Sequence, residues 1–153
     1  MTKKRFTVFW AVIISVVAVV CLSGCSSITV GGKKLRNPDK ITLFRVGLYS
    51  YDCDVRDRKE INRVFSFFDG AKFVLSDDTL TEEDGNINLS ERVWIYFGDD
   101  CYYIDVAQNG RAECTFGDRH YITQIGAVDY GALEEFVNNK IQEYLDSIKA
   151  ERS

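Results

Sequence analysis

Between residues 93 and 125, apolar and polar residues alternate in four short runs. Each of the first three ends in a turn signal, and this pattern restricts the fold more than any other feature. Val93, Ile95 and Phe97 alternate before Gly98-Asp99-Asp100, and Tyr102, Ile104 and Val106 before Gln108-Asn109-Gly110. Ala112, Cys114 and Phe116 alternate before Gly117-Asp118, and residues 120–125 make the fourth run. A period of two marks half-buried strands, and short glycine-bearing turns join neighbours antiparallel. The segment is expected to form a meander with one apolar face. Asp129 then opens a long helix, with Tyr130, Leu133, Phe136, Val137, Ile141, Tyr144, Leu145 and Ile148 in a wide apolar stripe. That stripe must cover something, most simply one face of the meander.

Upstream the pattern is shorter. Residues 41–48 read as a strand with Phe44, Val46 and Leu48 on one face. Gly47 then marks a bulge, because the apolar phase shifts to Tyr49, Tyr51, Cys53 and Val55. Asp57 with Glu60 three residues on is a capping box. Ile61, Val64, Phe65 and Phe68 follow at helical spacing and Gly70 closes the helix, so a short helix is expected near residues 57–69. Residues 72–75 read as a strand and residues 76–88 as an acidic polar loop. The expected class is α+β: a mostly antiparallel sheet, the last helix packed on one face.

The turns predict register. A three-residue loop with Gly110 left-handed pairs Val106 with Ala112, Ile104 with Cys114 and Tyr102 with Phe116, keeping the apolar set on one side. A turn at Asp99-Asp100 pairs Ile95 with Ile104, Phe97 with Tyr102, Tyr96 with Tyr103 and Trp94 with Asp105. Cys114 then points into the core and Cys101 to the opposite face, so these two should not bond to each other.

The chain begins differently. Lys3, Lys4 and Arg5 precede an almost unbroken apolar run over residues 6–21, and Leu22-Ser23-Gly24-Cys25 follows. This segment resembles the lipobox of bacterial lipoprotein signal peptides. The resemblance implies that Cys25 is lipidated and becomes the first mature residue, with cleavage after Gly24. Cys21 is a poor rival, because bulky Val20 precedes it. Two acyl chains give stable anchoring where one is marginal. The alternatives are a retained membrane helix, for which residues 6–22 are only just long enough, and an ordinary secretory signal. All three place the domain outside the cytoplasm, lipid-anchored to the cell membrane or outer membrane in the lipoprotein case. The expected organisation is a signal peptide over residues 1–24, a lipidated terminus and tether over residues 25–40, and one α+β domain over residues 41–150. The tether holds Lys33, Lys34, Arg36 and the chain's one proline, Pro38. Fully extended it spans at most about 50 Å. The mature domain loosely resembles small extracytoplasmic lipoproteins of bacteria.

Charge and cysteines narrow the function. Of 19 basic residues Lys3, Lys4 and Arg5 leave with the leader, while all 23 acidic residues stay. An acidic mature domain does not suit nucleic acid. Cys53, Cys101 and Cys114 remain, an odd set without a C-x-x-C. Before Gly85 the calcium-loop positions hold Leu80, Glu82 and Asp84, and the first fails as a ligand. His120, the one histidine, has no second histidine or nucleophile motif beside it. No catalytic residue, metal site or cofactor is expected. The far face of the hairpins carries Arg92, Trp94, Tyr96, Tyr103, Asp105, Glu113 and Thr115. Trp94, Tyr96 and Tyr103 there form an aromatic platform suited to a protein or glycan partner. The expected function is a membrane-tethered, non-enzymatic binding or accessory module. An immunity or inhibitor lipoprotein capturing a toxin or hydrolase is the second reading, and a small envelope hydrolase the third.

Overall fold

The computed structural model describes residues 27–45, 51–85 and 91–151. Nine strands and two helices follow in the order β1 (Ile28–Val30), β2 (Lys33–Leu35), β3 (Lys40–Arg45), β4 (Tyr51–Val55), α1 (Arg58–Ser66), β5 (Lys72–Leu75), β6 (Glu91–Phe97), β7 (Asp100–Val106), β8 (Ala112–Phe116), β9 (Arg119–Ile122) and α2 (Tyr130–Glu151). A single 3-10 turn, Glu82–Asp84, interrupts the loop after β5. The strands form one sheet in the order β2-β1-β5-β9-β8-β7-β6-β3-β4. Every pairing is antiparallel except β1 with β5. The class is α+β, as the alternation and the terminal stripe predict.

The sheet is curled. Lys33 on β2 donates from Nζ to the hydroxyl of Tyr102 on β7 at 2.8 Å, although β2 and β7 are five strands apart in the sheet. The concave face holds the core. Ile41 and Leu43 of β3, Val93 and Ile95 of β6, Ile104 and Val106 of β7 and Cys114 of β8 are buried there, against Ile61, Val64 and Phe65 of α1 and Leu133, Phe136 and Val137 of α2. The strand period of two sends these residues inward and their neighbours outward.

Asp57 is the N-cap of α1, as the sequence predicts, while the helix ends earlier than expected, with Phe67 rather than Gly70 at its C-cap. The Asp57 carboxylate accepts from the amides of Lys59 and Glu60 at 2.8 and 3.1 Å. The Glu60 side chain reaches Lys140 of α2 at 2.5 Å, and Phe67 meets Phe136 edge-on at 6.1 Å, so α1 and α2 brace each other. Only the first half of α2 is well buried. Leu133, Phe136 and Val137 lie in the core, Ile141 packs at its margin, and Tyr144 is 49% exposed.

Three expectations require correction. The stretch read as a solvated tether supplies β1 and β2, with Ile28, Val30 and Leu35 in the core. The ordered domain thus starts by Ile28, well before residue 41. Gly31 and Gly32, both at positive φ, make the two-residue turn between these strands. The signal was present as Gly-Gly between two short runs, but runs of three residues are too short for alternation to register.

The second correction concerns the β6–β7 turn. It falls on Gly98-Asp99, with Phe97 opposite Asp100. Gly98 sits at φ +59°, the position that type II′ turns give to glycine. The pairs are therefore Ile95 with Tyr102, Val93 with Ile104, Trp94 with Tyr103 and Tyr96 with Cys101. The slip is two residues, so no side chain changes face. The β7–β8 register is as expected, Ile104 with Cys114 and Val106 with Ala112, around Gly110 at φ +76°. The third correction is in β3, where Ile41 and Leu43 face the core and Phe44 faces outward with Thr42. The expected positions of Val46, Gly47, Leu48 and Tyr49 lie outside the described residues.

Candidate partner-binding face

The convex face of the sheet carries the side chains left over by core formation. Register sets them in transverse rows. One row runs Asp54, Thr42, Trp94, Tyr103, Thr115, His120 across β4, β3, β6, β7, β8 and β9. Beside it run Phe44, Arg92, Asp105, Glu113 and Ile122. On the other side Lys40, Tyr96 and Cys101 lie abreast. Neighbouring strands are about 4.8 Å apart, and rows two residues apart about 6–7 Å.

Trp94 and Tyr103 are directly opposed, and Tyr96 lies one row away on the same face. Trp94 is 37% exposed, while Tyr96 and Tyr103 are half-buried. The structure thus brings Trp94, Tyr96 and Tyr103 together, by pairings different from those expected. Reading single hairpins missed Thr42, Lys40 and Asp54. They join the face through the pairing of β3 with β6, which is distant in sequence and has no local turn to announce it.

The polar groups hold the aromatics in place. Arg92 makes a bidentate pair with the buried Asp105 at 2.5 and 2.8 Å, and its guanidinium lies 5.4 Å from the Tyr103 ring centre. The Asp105 carboxylate raises the Arg92 pKa further. Lys40 lies 4.6 Å from the Tyr96 ring centre and bridges to Asp54 at 3.0 Å. Thr42 donates to Asp54 at 2.6 Å, and this bond, helped by Lys40, holds Asp54 below the usual carboxylate range. Such cation–aromatic contacts fix ring orientation as well as adding attraction.

At the far end of the face, His120 Nε2 lies 3.3 Å from Glu113 Oε2, which also accepts from the Leu80 amide at 2.8 Å. The acidic loop lies here. Its Asp84 is buried rather than solvated, a departure from the loop reading. Burial pushes the Asp84 carboxyl up, but hydrogen bonds from Thr81, Asn109 and Arg111 outweigh it and hold the pKa low. These donors make Asp84 an internal lock between the loop and the β7–β8 turn.

All three described cysteines are free thiols. Cys114 is buried beside Ile104, and burial pushes its thiol up to about 12. Burial likewise raises Cys53 to about 11, and it raises Cys101, which lies on the convex face. Cys25 and the leader before it lie outside the described residues. Among the described residues no helix is long and apolar enough to cross a membrane. Comparison with protein-family models, curated proteins and solved structures finds no match for this chain.

Proposed function

We propose that the chain is an extracytoplasmic lipoprotein, anchored through Cys25, that acts as a non-enzymatic binding module. In this reading its partner, a protein or a glycan, lies against Trp94, Tyr96 and Tyr103. The observation that carries the reading is the asymmetry of the sheet. Both helices contribute to the concave side, whereas Trp94 on the convex side stays exposed with its aromatic and threonine neighbours aligned. Tryptophan and tyrosine are enriched at binding hot spots, where truncation costs about 2 kcal/mol or more in affinity. The one carboxylate in contact with His120 among the described residues, Glu113, is held by the Leu80 amide, and Asp105 on the neighbouring strand is held by Arg92. This supports the binding reading over the hydrolase one.

Two measurements test it. Acyl-chain labelling and processing should be lost in Cys25→Ala and retained in Cys21→Ala; normal labelling of the Cys25 variant refutes the anchor. Native lipidated protein isolated from the envelope should carry a bound partner, and Trp94→Ala or Tyr103→Ala should release it while the thermal midpoint stays near normal. A large fall in midpoint with the partner retained refutes the platform.

A further inference from the structure

Among the described residues five large hydrophobic side chains are exposed. Three of them, Val74 at 58%, Leu75 at 69% and Ile125 at 68%, line one open groove between β5, the end of β9 and the loop that follows. Scattered apolar residues on a surface are ordinary, but a contiguous group marks an interaction site. The other two, Trp94 and Tyr144, do not line this groove.

The position of the groove is set by the one parallel pairing. Thr29 and Val30 pair with Lys72 and Phe73, so β1 runs alongside β5 in the same direction. The chain therefore reaches Ile28 beside the start of β5, close to Gly70, which also lines the groove. Cys25 is three residues before Ile28, a span of at most about 10 Å. Charge favours the same direction. Lys34, Thr29 and Lys72 form one row across β2, β1 and β5, and both lysines are exposed. Against Lys72, the groove lining contributes one carboxylate, Asp78.

We propose that this rim is the membrane-facing side of the domain. Val74, Leu75 and Ile125 rest in the headgroup layer of the bilayer that holds the anchor, and Lys72 and Lys34 meet anionic headgroups. Apolar side chains with flanking lysines are the usual composition of surfaces that lie on a membrane without spanning it. The proposal rests on the lipoprotein reading above. It also gives the domain an orientation, because Trp94 on β6 is four strands along the curled sheet from β5.

The test uses the full chain, purified after export and placed in phosphatidylcholine–phosphatidylglycerol vesicles. Trp10→Phe and Trp94→Phe remove both native tryptophans, and Leu75→Trp, Ile125→Trp or Asn139→Trp, the last on exposed α2, adds a single probe. Bromine-labelled lipids should quench the probes at residues 75 and 125, with blue-shifted emission, and leave residue 139 unquenched. Mass spectrometry of the same samples reads acylation of Cys25. Acylation with solvent-like emission at residues 75 and 125 overturns the docking and leaves the anchor standing. Quenching without acylation supports the docking and overturns the anchor, and neither result overturns both. A blue shift without quenching by brominated lipid assigns the groove to a second copy of the chain or another protein, and overturns the membrane.

Discussion

At the scale of single residues, the most consequential side chain is Glu91. It is fully buried at the start of β6, where its Oε1 accepts from Nε of Arg45 at 2.7 Å. Arg45 also reaches Asn138 and, at 3.7 Å, Glu134 of α2. Glu91 Oε2 has no hydrogen-bond partner among the described residues. Burial pushes the carboxyl up to about 7, and Arg45 only partly opposes this. A raised carboxyl binds its proton more readily in the folded chain than in the unfolded one. Folding stability should therefore fall as pH rises from 4.5 to about 7. The fall should amount to roughly 2–3 kcal/mol. Chemical denaturation across that range should show the slope, and Glu91→Gln should flatten it; a slope that persists in the variant assigns it elsewhere. Asp54 and Asp84, whose pKa values are lowered, act in the opposite sense: their contribution is lost only below the ordinary carboxylate range, so the two effects separate. The thiols give a second residue-scale expectation. Cys114, buried and raised to about 12, should resist a thiol reagent at neutral pH until the domain unfolds. Labelling of Cys114 in the native protein as fast as Cys101 would contradict its inward placement.

At the scale of elements, α2 divides into two halves with different roles. Leu133 is fully buried, so Leu133→Ala should cost about 2–5 kcal/mol, whereas Ile141→Ala at the margin of the core should cost less than about 2 kcal/mol. Equal shifts in denaturation midpoint would mean that the second half is covered as well as the first. The apolar stripe of α2 was legible as a helix because eight positions repeat the period. How far the core extends beneath it was not, since coverage depends on the sheet and not on the helix's own sequence. The meander was legible for the same reason of repetition. Two of its three turns show the limit. At Gly110 the two registers compared differ by one residue, and only the one found keeps Ile104 and Cys114 on the same face. At Gly98 the alternatives differ by two residues, which leaves every face unchanged, so hydrophobicity alone does not choose between them. The candidate face was thus read with the right members and the wrong partners. Gly110 offers a check of its own. A Cβ there would lie 2.6 Å from the Val128 carbonyl oxygen, and φ is +76°, so Gly110→Ala should lower the midpoint clearly. The same change at Gly98, where nothing lies within 4 Å, should act through backbone conformation alone and less severely.

At the scale of the whole molecule, the surprise is that the segment expected to be a tether belongs to the core. Ile28→Ala or Leu35→Ala should destabilise by about 2–5 kcal/mol, as core truncations do and tether truncations do not. A midpoint unmoved by both would return this segment to the tether. The sequence concealed it because Lys33, Lys34 and Arg36 surround Leu35, and their charge outweighs one apolar residue in any local reading. Only the closing of the sheet, with Lys33 bonded to Tyr102, brings β2 against the meander. The parallel placement of β1 also has a mechanical consequence. In a chain anchored through Cys25, any pull between membrane and domain is transmitted first along β1, which is held by β2 on one side and by β5 on the other. A load applied along a strand strains its lateral hydrogen bonds together, in shear, instead of peeling them one at a time. A chain so anchored would take such a load across paired strands rather than at a frayed end.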